Sequence, residues 1–308
     1  MSDQKLHVII PYFNHTNARV SRRNLELCLR HLSITPDCHV VLVEGIWNRE
    51  AELPDWSYRI FRHLKFDLQS PIWVKENLIN LGIKSLGEEW EYAAWIDKDI
   101  QFLNPAWAQE TMLKLEQCDL LQPWSRLLLL DEFYEVLDDY ENVTGSEFGM
   151  LHETKDIKGG KSFCQKRDEG GVGGFPGYSW AISKSCFKKT GGFFDLCIVG
   201  GGDAIIPLHF DKSSYREYMV LLKGLHERYL ASFSRIKLGS MSGTIIHYDH
   251  GSLGQRKYRE RYSVYNECNF DPITDLSYAD NGTLVLKNPA LQEAILDYFY
   301  SREEHLVP

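Results

Sequence analysis

No stretch of the sequence approaches the roughly 20 consecutive apolar residues that a membrane-crossing helix needs. The opening residues, Met1 to His7, are polar where a signal core would be apolar. These absences predict a protein that stays in the cytoplasm, where it is made. The seven cysteines (28, 38, 118, 164, 186, 197 and 268) include no Cys-x-x-Cys pair, which predicts reduced thiols and not a disulfide frame. An excess of positive charge is also lacking: 34 Lys+Arg stand against 43 Asp+Glu, for a net charge of −9. That balance excludes a protein held mainly by phosphate backbones or anionic lipid. Three familiar signatures are missing as well, namely Gly-x-x-x-x-Gly-Lys-Ser/Thr, Gly-x-Ser-x-Gly and His-Glu-x-x-His.

What is present is a core. Of the 308 residues 44% are hydrophobic and 13% aromatic, which excludes disorder as the overall state. The length allows two domains or one continuous α/β unit. Leu6 to Ile10 is a short β-branched run ending at Pro11, as a buried parallel strand should. Leu25, Cys28, Leu29 and Leu32 then recur at helical spacing, and His39 to Val43 is a second buried strand closing on Glu44. Strand, helix, strand is a βαβ unit, with its ligand site expected at the carboxyl ends of the strands. A helix is expected over 75–86, a strand over 92–96, a helix over 107–117 and a strand over 119–124. Strands are expected again over 178–182 and 243–247. Asn288-Pro289 is the N-cap and first turn of a last helix reaching about Ser301. Gly145 to Gly177 holds nine glycines and no apolar period, the composition of a mobile loop or lid.

Asp97 and Asp99 close the apolar strand Tyr92 to Ile96. Residues two apart on a strand share a side, so both carboxylates are expected to face one ion. Hard oxygen ligands suit Mn²⁺ or Mg²⁺, which can neutralise a nucleotide diphosphate as it leaves. A solvated strand end is the alternative. Of the three glycosylation sequons, at Asn14, Asn142 and Asn281, the first lies in the loop after the first strand. A glycan there would block a ligand, which again fits the cytoplasm.

In their order along the chain, Val8 to Asn14, the acid Glu44 and Trp95-Ile96-Asp97-Lys98-Asp99 resemble the nucleotide-sugar elements of GT-A glycosyltransferases. Gly191-Gly192-Phe193-Phe194-Asp195 and Gly200-Gly201-Gly202-Asp203 are similar to acceptor-side motifs of family 2-like members and of the galactosyltransferase and polypeptide N-acetylgalactosaminyltransferase groups. The resemblance runs from residue 6 to about 261. It implies a single GT-A (Rossmann-like) α/β domain with a central mixed sheet flanked by helices. Residues 1–103 would bind the nucleotide sugar and 104–275 the acceptor, with a mobile loop at 145–177 and a C-terminal helical segment at 276–308.

The resemblance assigns Pro11, Tyr12, Asn14 and Glu44 to the base and ribose, with Tyr12 able to stack on a pyrimidine. Packing for Tyr12 and a loop salt bridge for Glu44 are the alternatives. Asp203 is implied as the base that takes the acceptor hydroxyl's proton in an inverting transfer, the alternative being a helix N-cap. Relatives carry an acidic pair here, whereas this chain has Gly202 before Asp203. His247, ahead of His250, is implied as a third metal ligand beside Asp97 and Asp99. Arg256 and Arg261, in a run with Lys257 and Arg259, could hold the diphosphate. Tyr178 and Trp180 could stack on an acceptor sugar, or pack in the core.

The expected activity is metal-dependent transfer from a nucleotide sugar, a UDP-sugar in the first instance, to a hydroxyl of a glycan or polysaccharide precursor. A phage-type enzyme acting on hydroxymethylated DNA bases is an alternative that the net charge disfavours. A nucleotidyltransferase with a similar core is another, and a non-catalytic carbohydrate-binding protein a third.

Overall fold

The computed structural model describes residues 4–54, 60–142, 172–173, 175–210, 217–251, 256–257 and 260–307. Most of the expected mobile loop, and Arg259, lie outside the described residues. Strand β1 (Leu6–Phe13), helix α1 (Arg19–Ile34), β2 (Cys38–Ile46) and β3 (Arg62–Asp67) open the chain. Helix α2 (Lys75–Lys84), β4 (Tyr92–Ile96), β5 (Ile100–Phe102) and helix α3 (Trp107–Leu115) follow. Then come β6 (Leu120–Gln122), β7 (Arg126–Leu130), β8 (Val136–Asn142), β9 (Val172–Gly173) and β10 (Ser179–Ser183). After them lie β11 (Leu238–Ser240), β12 (Thr244–His247) and the hairpin of β13 (Leu276–Tyr278) and β14 (Leu284–Leu286).

The main sheet has the order β11-β6-β10-β4-β1-β2-β3. Strands β3, β2, β1 and β4 run parallel, while β10 is antiparallel to both of its neighbours. The sheet is therefore mixed, as expected. A second sheet, β5-β12-β7-β8-β9, lies beside the carboxyl end of β4.

The period of two along each strand divides the interior into two cores. Ile9, Val41, Val43, Ala93 and Trp95 face one side, where Leu78, Ile79 and Ile83 of α2 cover them. Val8, Ile10, Val40, Leu42, Ala94 and Ile96 face the other, under Leu25, Cys28 and Leu29 of α1 and Trp107 and Met112 of α3. Both faces are covered, which is why these strands read as continuous apolar runs.

The first strand is longer than its sequence suggests. It passes through Pro11, which pairs with Val43, and ends at Phe13. Pairing with β4 has already stopped at Ile9, so a residue without an N–H is tolerated in this one-sided stretch. The C-terminal helix Pro289–Ser301 starts as expected, with the Asn288 side chain accepting from the Leu291 N–H at 3.2 Å. No helix among the described residues is long and apolar enough to cross a membrane.

Close packing of α2 on the sheet depends on a glycine. A Cβ added at Gly82 would lie 2.7 Å from methyl carbons of both Ile9 and Val43, two β-branched core residues with little freedom to move. Gly82→Ala should lower stability by about 1–3 kcal/mol through overpacking. Urea unfolding checks this; an unchanged midpoint would mean that α2 can lift from the sheet at no cost.

Candidate active site

A cavity of about 390 Å³ opens at the carboxyl ends of β1 and β4, where a parallel sheet is expected to bind its ligand. Its walls come from distant parts of the chain: Pro11 and Phe13 at the end of β1 with Asn14 to Thr16 after it, Asp97 to Asp99 after β4, and Phe175 to Tyr178 before β10. Gly201, Asp203, His247, His250, Arg256 and Arg261 also line it, as do Phe299, Arg302 and Glu304 of the C-terminal segment.

Lys75, in the first turn of α2, is buried among acids. Its Nζ lies 3.0 Å from Asp203 Oδ2, 3.5 Å from Asp97 Oδ1 and 4.0 Å from Glu76 Oε1, and 4.7 Å from the centre of the Trp95 ring. Burial opposes the charge on Asp203, but Lys75 and then Arg261 outweigh it and hold that carboxyl below its usual range. Burial raises Asp97 to about 6 and Glu76 to about 8, the Lys75 charge only partly opposing it.

Asp203 is not a helix cap. It sits inside the one-turn 3₁₀ helix Gly202–Ala204, whose cap position is Gly201 at φ 93°. Nor is there space for an acid at position 202. A Cβ there would meet Glu76 Cδ at 2.6 Å, so the Glu76 carboxyl fills the volume beside Asp203 that a second acid would take.

Asp97 and Asp99 part company. Strand β4 ends at Ile96 and a turn occupies Lys98 and Asp99, so the alternation that would have aligned the two carboxylates is lost. Asp97 continues toward α2, its Oδ2 accepting from the Tyr178 N–H at 3.1 Å and its own N–H donating to the Tyr178 carbonyl at 2.8 Å. These two bonds hold Tyr178 in the left-handed region at φ 69°. Asp99 instead turns to the second sheet, where its carbonyl accepts from the Tyr248 N–H at 2.8 Å. Its Oδ1 lies 3.8 Å from His247 Nε2 and its Oδ2 3.3 Å from His250 Nε2.

One ligand atom each from Asp99, His247 and His250 falls within 4.8 Å of the others, and the cluster does not include Asp97. Burial pushes both imidazoles below their usual range, so they are neutral at pH 7. Although burial opposes ionisation of Asp99, the Lys98 charge, with Arg256 beyond it, outweighs burial and keeps that carboxyl ionised. Two neutral imidazoles and one carboxylate form a donor set that fits Mn²⁺. Lys98 Nζ, 3.6 Å from Asp99 Oδ2, supplies the balancing charge.

Several sequence-derived candidates lie elsewhere. Tyr12 is wholly buried in the α1-side core, its hydroxyl accepting from Asn14 Nδ2 at 3.1 Å, so it has no face to offer a base. Asn14 lines the cavity, but its amide is engaged with the backbone N–H and carbonyl of Ala18, at 2.9 and 3.0 Å, pinning the β1–α1 loop. Glu44 does not line the cavity: it accepts from the Leu53 N–H at 2.7 Å and pairs with His63 at 2.8 Å. Trp180 is fully buried and donates from Nε1 to the Pro176 carbonyl at 2.7 Å. Of the acceptor pair only Tyr178 lines the cavity, its ring edge-on to His247 at 5.2 Å. Pro11, Arg256 and Arg261 also line it.

The wall that can stack on a base is different from the one expected. Phe13, Trp73 and Phe299 meet edge-on or in parallel at centroid distances of 5.2 to 6.4 Å. The Arg302 guanidinium lies 5.6 Å from the Trp73 ring. A Trp just ahead of the α2 motif was the one sequence signal for this wall; Phe299 and Arg302 gave none.

No protein-family model matches the sequence, and no curated protein does. Among solved structures the chain is similar to the catalytic domain of Drosophila beta1,4galactosyltransferase 7 in complex with xylobiose, with 11% identity, 94% of this chain and 98% of that chain covered, and a TM-score of 0.42. It is similar to S. aureus TarS 1-349 in complex with UDP-GlcNAc, at 12% identity over 97% of this chain and 72% of that one, with a TM-score of 0.44. The mannosyltransferase PcManGT from Pyrobaculum calidifontis, in complex with GDP-Man and Mn²⁺, gives 12% identity over 99% and 75%, with a TM-score of 0.43. These structures are GT-A glycosyltransferases. At such identities and scores the likeness carries no chemistry, which rests on the side chains described above.

Removing the Lys75 ammonium should leave Asp203, Asp97 and Glu76 facing one another without a cation. Lys75→Met should cost about 3–5 kcal/mol at pH 8, the range for breaking a buried pair. The sign of its pH dependence follows from Glu76, whose folded value near 8 lies above its unfolded value. A raised carboxyl contributes stability that is full below the unfolded value and is lost as pH rises through the folded one. Without Lys75 the acids bind protons more tightly still, so the deficit should shrink on going from pH 8 to pH 5. Urea midpoints at the two values test this; a deficit independent of pH would mean that Lys75 contributes packing and not charge balance.

Proposed function

We propose that this protein is a metal-dependent glycosyltransferase that moves a sugar from a nucleotide sugar, a UDP-sugar being the donor class, to a hydroxyl of a carbohydrate acceptor. The observation that carries the reading is the pairing, within one cavity, of a buried two-histidine, one-carboxylate cluster with the ionised Asp203. A purely binding site has no need of both. The donor class follows from the order of motifs that resembles the GT-A enzymes, not from any bound molecule.

In this reading Asp99, His247 and His250 hold Mn²⁺. When bound, the ion supplies positive charge to the diphosphate as it leaves. Arg256, Arg261 and Arg302 add fixed positive charge to the same cavity. Phe13, Trp73 and Phe299 offer the base an apolar face. Asp97 sits beside Lys75 and Asp203, on the sugar side of the cluster, and its role is to fix Lys75 and the Tyr178 backbone. Asp203 accepts the proton of the acceptor hydroxyl as that oxygen attacks the anomeric carbon, giving inversion. Lys75 keeps Asp203 ionised and turned into the cavity, and the lack of a side chain on Gly177 lets the two approach: a Cβ there would lie 3.0 Å from Asp203 Oδ2. Tyr178 borders the acceptor side.

A DNA-modifying enzyme of this net charge would need a local basic patch, for which the 256–261 run is the candidate. Arg256 and Arg261 line the cavity instead, which favours a diphosphate over a duplex.

Two substitutions test the reading. Asp99→Ala should abolish Mn²⁺-dependent UDP binding, read by titration calorimetry with and without the metal, while the metal-free melting temperature changes little. Equal UDP affinity with and without Mn²⁺ in both wild type and variant would remove the metal from the mechanism. Asp203→Asn should retain donor affinity while transfer falls by a factor on the order of 10²–10⁴. Full transfer by that variant at saturating donor would move the base elsewhere.

A further inference from the structure

The C-terminal segment enters the cavity beside the histidines. After the helix Pro289–Ser301 the chain makes a one-turn 3₁₀ helix, Glu304–Leu306, entered through Glu303 at φ 57°. Glu304 is thereby brought against His250, 54 residues earlier, with Oε1 3.3 Å from Nδ1 and Arg302 pairing with the same oxygen. His250 thus lies between two carboxylates, Glu304 at Nδ1 and Asp99 at Nε2, each at 3.3 Å. A neutral imidazole has one N–H, and a carboxylate can only accept. Just one of the two contacts can then be a hydrogen bond. The Nδ1 contact to Glu304 is aligned as one, whereas the Nε2 contact to Asp99 is a close approach without hydrogen-bond alignment.

We propose that Glu304 is the positioning residue of the cation site: it accepts the Nδ1–H of His250, fixes that tautomer, and leaves the Nε2 lone pair aimed at the space beside Asp99. The inference rests on the reading of Asp99, His247 and His250 as a metal cluster and deepens it by one residue. Two acceptors face each other across that space at 3.3 Å, an arrangement that a divalent cation relieves and that an empty site leaves to Lys98, 3.6 Å from Asp99 Oδ2. An outer carboxylate of this kind makes the imidazole a better donor to a metal and holds its ring against rotation.

The test needs no transfer assay. In metal-free wild-type protein, long-range ¹H–¹⁵N correlation of His250 should show the Nδ1–H tautomer. Finding the Nε2–H tautomer overturns the proposal without recourse to any variant. In Glu304→Gln the tautomer preference should weaken or reverse, and calorimetric titration with Mn²⁺ alone should give a Kd weaker by about 10–100-fold, the usual consequence of losing an outer-sphere partner. Two failures are distinguishable. No Mn²⁺ binding by wild-type protein overturns the cation site itself. Mn²⁺ binding that is lost in Asp99→Ala but equally tight in Glu304→Gln leaves the site standing and overturns the role of Glu304.

Discussion

The buried ammonium of Lys75 is the constraint around which the cavity end of the molecule is arranged. It projects from the first turn of α2 into a space bounded by Asp97 at the end of β4 and Asp203 in the glycine-rich turn. These two acids come from unconnected stretches of chain, and their charges would repel without it. A Coulomb attraction that is weak in water becomes strong when both groups are screened from it. The same charge that makes the fold locally tolerable keeps Asp203 in the form that can accept a proton. Stability and chemistry are here two readings of one ion network.

The glycines around that network act by omission. Gly177 and Gly202 carry no side chain where Asp203 and Glu76 need the volume. The change from an acid to glycine before Asp203, a departure when the motif is read alone, becomes intelligible in three dimensions. The neighbouring carboxyl is contributed by the helix facing the turn instead of by the turn itself. Its high proton affinity means that this second acid is neutral at pH 7, so it crowds Asp203 without adding a full negative charge.

Elements buried on both faces were legible in the sequence, because continuous apolar runs leave little choice of structure. Thus β1, α1, β2, β4 and β10 fall close to where periodicity places them. The edge strand β3, Arg-His-Leu-Lys-Phe-Asp, and the exposed β8 were not legible, since charged residues at an edge serve solubility and carry no apolar signal. In the site, Asp99, Asp203, His247, His250, Arg256 and Arg261 do converge on one cavity. Tyr12 does not, because strand parity groups it with Val8 and Ile10 on the α1 side. Glu44 and Trp180 are likewise held by local backbone partners. The pairing of Lys75 with Asp203, and that of Glu304 with His250, were not legible for another reason: each joins residues far apart along the chain, 128 and 54 positions. Sequence spacing carries no trace of such pairings.

The contribution of Phe299, Arg302 and Glu304 to a cavity that also takes Pro11 and Phe13 from the first strand has a bearing on how the molecule is made. Synthesis proceeds from the amino end, and the parallel core of β1, β2 and β4 has all its strands once residue 96 is available. The cavity at their tips stays open on one side until Glu304 has emerged. A chain made only that far can pair these parallel strands while its cavity still lacks Phe299, Arg302 and Glu304. Completion of the cavity is thereby a later event than formation of the strands that carry it.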